Sequence, residues 1–194
     1  MAVAARDSAA TKERLLGAAT KEFAAYGVAG ARVDRIAAAA QTNKQLIYAY
    51  FGSKEQLFDA VLETSCGPLV QEVPFDPDDL PGYVGRLFDY VIEHPEVARL
   101  VLWAGLERPT AIAPFEAESY RAKLKALAAA QRDGSVDATF APADLLALLF
   151  GLVSAWFTAS EAIRTHDTKQ PWSPKRLAQF RRASVEAAAR IIGQ

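Results

Sequence analysis

Apolar positions recur at helical spacing along almost the whole chain. After a loose arm at residues 1–8, Leu15, Ala19 and Phe23, joined by Leu16, share one face of a helix over residues 9–26. Gly27 then stands where a helix ends in left-handed backbone. A short helix over residues 33–40 turns Val33, Ile36, Ala37 and Ala40 inward. Gln41-Thr42-Asn43 interrupts the pattern, and Thr42 or Asn43 can cap a second short helix at 43–50, with Thr42-x-x-Gln45 matching a capping box. Ser53-x-x-Gln56 is another such box. It opens a helix to about residue 65 whose apolar side carries Leu57, Phe58, Val61 and Leu62. Pro68, Pro74 and Pro77 mark a break at 67–77. Five further helices follow, over residues 78–93, 95–107, 114–133, 142–165 and 174–192, several with proline in the first turn, where its missing N–H costs little. The pattern predicts an all-α chain of about nine helices.

Composition agrees. Of 194 residues, 39 are alanine, the strongest helix former. The formal net charge is -1, yet residues 1–54 hold 8 Lys and Arg against 4 Asp and Glu. A basic N-terminal quarter on a near-neutral chain favours a local polyanion contact. The single cysteine, Cys66, excludes an internal disulfide and a Cys-based zinc site. The most apolar stretch, residues 145–159, falls short of the about 20 residues that a membrane span needs. The N-terminus lacks a signal-peptide pattern, so the expected address is the cytoplasm. No Gly-rich phosphate loop, Gly-x-Ser-x-Gly or His-Glu-x-x-His occurs, and His94 and His166 lack metal-ligand spacing, so no cofactor, metal or catalytic residue is expected.

The informative segment is residues 31–57. Two short helices joined by a three-to-four-residue turn, with a supporting helix on each side, form a helix-turn-helix. The second helix offers Asn43, Lys44, Gln45, Tyr48 and Tyr50, with no acidic residue among them. Such a helix fits the major groove of B-DNA, where Asn and Gln can pair with adenine and Lys with guanine or phosphate.

Leu15/Leu16, Ala19, Phe23, Gly27, Ile36-Ala37, Ile47-Tyr48-Ala49-Tyr50-Phe51 and Ser53-Lys54-Glu55-Gln56-Leu57 stand in one collinear register. In this combination the chain resembles a TetR-family transcriptional regulator. The resemblance implies a DNA-binding domain over 1–52 with a linking helix at 53–66, and a ligand-binding and dimerisation domain over 67–194. Asn43, Lys44 and Gln45 would face the groove, with Thr42 at the helix start. Tyr48, Tyr50 and Lys54 would meet phosphates, Arg32 and Arg35 would be secondary phosphate contacts, and Arg6 and Lys12 would reach DNA from the arm. The partners implied are double-stranded operator DNA, a largely apolar small-molecule effector, and a second copy docked through the last two long helices. For the effector, Trp103 and Trp156 are the first candidates, with Glu107, Tyr120 and Phe150 beside them; Phe115 and Phe157 add to the same apolar set. The chain departs from the family pattern at Gln41, where glycine is common, and at Arg32, where threonine is. Two other readings stay open: a helical ligand-binding or protein-interaction module with a vestigial DNA-binding part, and a small helical enzyme.

Overall fold

A computed structural model describes residues 2–111 and 114–193, with side chains at 8–111 and 116–193. The described residues form ten α-helices and a 3-10 turn. They divide into two compact units, one comprising residues 1–69 and 94–115, the other residues 70–93 and 116–194. The expected arm belongs to the first helix, and the side chains of Arg6 and Phe115 lie outside the described residues.

In the first unit α1 (Ala2–Gly30) is interrupted at Gly27, and α2 (Val33–Ala39), α3 (Lys44–Phe51) and α4 (Lys54–Glu72) follow, the end of α4 from Val70 belonging to the second unit. The predicted apolar faces meet: Leu15, Ala19, Phe23, Ile36, Ile47, Leu57, Phe58 and Val61 are fully buried. Phe23 and Phe58 pack edge to face with centroids 5.1 Å apart. α4 runs seven residues past its expected end, straight through Pro68. A proline removes one hydrogen bond from a helix, and α4 continues past it to Glu72.

α6 (Pro95–Glu107) belongs to this unit, whereas the sequence reading placed it with the C-terminal part. The reason lies in α1. Gly27 has φ 69° and ψ −175°, a conformation close to glycine-only. The break leaves carbonyls and amides of α1 without helical partners. α6 supplies them: Arg99 Nε donates to Ala24 O at 2.5 Å and Trp103 Nε1 to the same oxygen at 3.3 Å. Glu107 accepts from Val28 N at 2.6 Å and Ala29 N at 2.9 Å. Arg108 completes the clamp by a two-pronged ion pair with Asp59 of α4.

The second unit holds a 3-10 turn (Pro77–Asp79), α5 (Leu80–Glu93), α7 (Pro114–Asp133), α8 (Pro142–Thr158), α9 (Glu161–Arg164) and α10 (Pro174–Ile191). α5 and α10 approach closely at Gly85, where a Cβ would stand 3.1 Å from Val185. Arg181 of α10 fixes their register by donating Nε to both oxygens of Asp89, at 2.7 and 2.8 Å. Phe88, Trp156 and Phe180 fill the space between them, with Trp156 and Phe180 centroids 5.0 Å apart. The expected single helix over 142–165 is two. Ala159 and Ser160 are extended, and the Ser160 hydroxyl accepts from Ile163 N to start α9. No described helix is long and apolar enough to cross a membrane.

Candidate nucleic-acid interface

The turn between α2 and α3 is built by a C-terminal cap. Gln41 N donates to Ala38 O at 3.1 Å and Thr42 N to Ala37 O at 2.9 Å. These are the paired bonds of a Schellman motif, which places left-handed backbone at the first residue after the helix cap. That residue is Gln41, with φ 53°, the one described non-glycine residue at positive φ. A side chain therefore occupies left-handed backbone where the family commonly has glycine, a conformation unfavourable for L-residues.

Asn43 starts α3: its Oδ1 accepts from Leu46 N at 3.0 Å. Asn43, not Thr42, is therefore the cap, and its carbonyl oxygen is committed to the helix rather than offered to a base edge. Ile47 and Phe51 anchor the inner face in the core. At about 100° of turn per residue, Gln45 and Ala49 lie opposite that inner face; they are exposed, as are Lys44 in the first turn and Tyr48 at the side. Tyr48 is 49% exposed. Lys44 reaches Asp34 at 3.3 Å, but both side chains are more than half exposed and such a pair is weak. Tyr50 points elsewhere: its hydroxyl lies 3.0 Å from Ser8 Oγ and ties α3 to α1. Lys12 of α1 lies over the Phe51 ring.

The other predicted phosphate contacts separate into two sorts. Arg32 is exposed. Arg35 is held in place: it donates to Glu22 Oε1 through Nε at 2.8 Å and to Gly30 O at 3.1 Å, and covers the Tyr26 ring. Glu22 also accepts from Arg32 N at 2.9 Å. Burial raises the Glu22 carboxyl, but the hydrogen bonds from Arg35 and Arg32 and the charge of both outweigh it and leave the group below its ordinary value. This carboxylate fixes the entry to α2, and only the fold reveals it, because its partners lie 10 and 13 residues on. Lys54 is half-buried at the start of α4, with Nζ 3.4 Å from Ala31 O. Ser53 Oγ accepts from Gln56 N at 3.1 Å, as the second capping box requires.

The five predicted effector contacts divide between the two units. Trp103 and Glu107 serve the first unit by satisfying the broken turn of α1, while Tyr120, Phe150 and Trp156 lie in the second. Trp156 is 2% exposed and packed against Phe180 and Trp172, so it is filled core. Tyr120 and Phe150 stack at 5.9 Å. The second unit does contain a concavity of about 300 Å³ that the sequence reading missed, lined by Val70, Val73 and Phe75 on one side and by Ser119, Lys123 and Ala126 of α7 on the other.

Two family models match the chain, and the second runs through α6. Residues 15–61 match the family described as bacterial regulatory proteins, tetR family. Residues 79–190 match the tetracyclin repressor-like C-terminal domain. The HTH-type transcriptional repressor SCO4008 of Streptomyces coelicolor is 48% identical over 155 residues, covering 78% of this chain and 81% of that protein. The HTH-type transcriptional repressor NicS of Pseudomonas putida is 34% identical over 113 residues, 55% of this chain and 53% of its own. The crystal structure of SCO4942 from Streptomyces coelicolor, described as a transcriptional regulator, superimposes with a TM-score of 0.77 at 39% identity, covering 94% of this chain and 98% of that one.

Proposed function

The chain belongs to the TetR family of transcriptional regulators, and from that premise we propose that it is a cytoplasmic repressor that binds a palindromic operator as a homodimer and leaves it when a small molecule binds the C-terminal part. The observation that carries the reading is the outward face of α3. Lys44, Gln45 and Tyr48 stand exposed on a helix that Ile47, Phe51 and the Asn43 cap hold rigid. Long polar side chains on a fixed short helix are what major-groove reading needs.

A palindrome needs two copies, with reading helices about 34–36 Å apart. α8 supplies a docking face: Ala147, Leu148, Gly151 and Ala155 are exposed along one side, and nothing lies within 4 Å of a Cβ placed on Gly151. α10 packs beside α8, so two such pairs make a four-helix interface with two-fold symmetry. Release follows from linkage: an effector that prefers the conformation with poorer DNA affinity is itself bound less tightly by the DNA-bound form.

The test is the salt dependence of operator binding, followed by fluorescence anisotropy. Each phosphate contact contributes a slope of about −0.9 in log K against log salt. Lys44→Ala and Lys54→Ala are each expected to flatten the slope by about one unit. A slope near zero in the parent protein would remove the reading.

A further inference from the structure

The concavity beside α7 has a chemistry of its own. Its walls are apolar: Val70 and Val73 face Ala122 and Ala126, and Phe75 closes one end, backed edge to face by the buried Tyr83 ring at 5.0 Å. One cation enters it. Lys123 is half-buried among these residues, its Nζ 2.5 Å from Ser119 Oγ and 5.8 Å from the centre of the Tyr120 ring. A cation taken out of water ordinarily acquires a carboxylate partner. Among the described residues Lys123 forms no ion pair, although nine other pairs are present. Burial accordingly pulls its ammonium below the ordinary lysine value. A hydroxyl and an aromatic face are poor substitutes for an anion, so this lysine gains most from a ligand that brings one. The volume, about 300 Å³, sits at the lower end of the about 300–1,000 Å³ usual for small-molecule sites. It suits a compact molecule rather than a peptide segment.

We infer that the groove between the end of α4 and α7 binds a compact apolar molecule carrying one carboxylate or comparable anionic group, with Lys123 as the counter-charge, Ser119 as a second polar contact and Val70, Val73 and Phe75 as the apolar wall. This deepens the effector role proposed above and rests on it for its regulatory meaning, though not for the binding itself.

Isothermal titration calorimetry on the full chain without DNA tests the site. The anionic probes are 2-naphthoate and decanoate, and 2-naphthamide and 2-naphthylmethylammonium are the neutral and cationic counterparts of the first. At least one anion is expected to bind, with the amide about tenfold weaker for loss of a charge-assisted contact and the cation weaker still. Lys123→Met is expected to equalise acid and amide while leaving the amide's affinity in place. Ala122→Phe, at an exposed position, fills the groove and removes both. The site is overturned if acid and amide bind alike to the parent protein, if Lys123→Met keeps the preference, or if neither anion binds. It is also overturned if the two variants alter sedimentation instead of calorimetry, since a second copy then covers the groove. A parallel anisotropy titration on bound DNA separates the two levels. Release by the anion in the parent but not in Lys123→Met supports the effector role. Calorimetric binding without release keeps the ligand site and removes that role.

Discussion

The carboxylate of Glu107, at the end of α6, accepts the backbone N–H of Val28 at 2.6 Å, across 79 residues of sequence. It occupies the place of the helical carbonyl that the break at Gly27 takes away. Replacing Glu107 with alanine leaves two amides without their charged acceptor and is expected to cost about 1–3 kcal/mol in urea unfolding. Gly27→Ala is expected to cost at least as much, about 2 kcal/mol or more. Its Cβ would stand 2.6 Å from Glu107 Oε1 and 2.9 Å from the Trp103 ring, in a backbone conformation that side chains avoid. Both variants should also weaken DNA binding, because α1 supports the reading helix through Tyr50 and Ser8.

Gln41 occupies left-handed backbone in the turn before α3. A side chain there costs about 1–2 kcal/mol, of which glycine returns about 0.5–1 kcal/mol as its own entropy loss. Gln41→Gly is therefore expected to stabilise the chain by about 0.5–1 kcal/mol, with Gln41→Ala near neutral, both read from urea midpoints.

Asn43 and Gln45 separate structure from recognition. Asn43→Ala removes the cap of α3 and should cost about 1 kcal/mol of stability. Gln45→Ala, on the exposed face, should change stability by no more than about 0.5 kcal/mol. It should instead alter which sequences are preferred; equal weakening on every sequence would count against its base-reading role.

Glu22 should contribute to acid sensitivity, alongside Glu55, Asp79, Asp133 and Asp137, whose carboxyls also titrate below their ordinary values. The Glu22 carboxyl titrates below the ordinary value of 4.5 in the folded chain, since Arg35 and the Arg32 amide hold the charged form against the cost of burial. The unfolded state binds the proton first as pH falls, so this contribution is complete above 4.5 and is lost as pH drops through the lowered value. Glu22→Gln should be less stable at neutral pH and show a shallower decline from about pH 5 to 3 than the parent protein. Parallel curves would contradict the assignment.

Ala155 lies exposed on α8 in line with Gly151. Ala155→Glu places a charge where two copies are expected to meet, at a cost that burial of an unpaired carboxylate makes large. Sedimentation velocity should report monomers, and an intact dimer would move the interface elsewhere.

What the sequence made legible was local. Leu15, Ala19 and Phe23 recur every four residues, and all three are fully buried. α7 begins and ends at Pro114 and Asp133, as proline and the following glycine predict. α3 was legible as a short helix, set off by the polar turn before it and the glycine after it. What stayed hidden depends on residues distant in sequence. Nothing local distinguishes Tyr50 from Tyr48, yet one bonds Ser8 and the other faces solvent. Glu107 reads from sequence as an effector contact beside Trp103, and its partners are backbone amides of α1. The end of α8 was invisible because apolar residues continue past it, and only the backbone turn at Ala159 and Ser160 breaks the helix. Lys123 in an alanine-rich helix reads as an ordinary surface charge; the groove comes from the residues that α4 and Phe75 bring to it.

Selection of bound fragments from random double-stranded DNA tests the central claim most directly. Enrichment of a palindrome whose half-site centres lie about one helical turn apart, and loss of its preferred bases when Lys44 and Gln45 are both replaced by alanine, is the predicted result. Recovery of no common sequence, or of one that the double variant selects equally well, would contradict it.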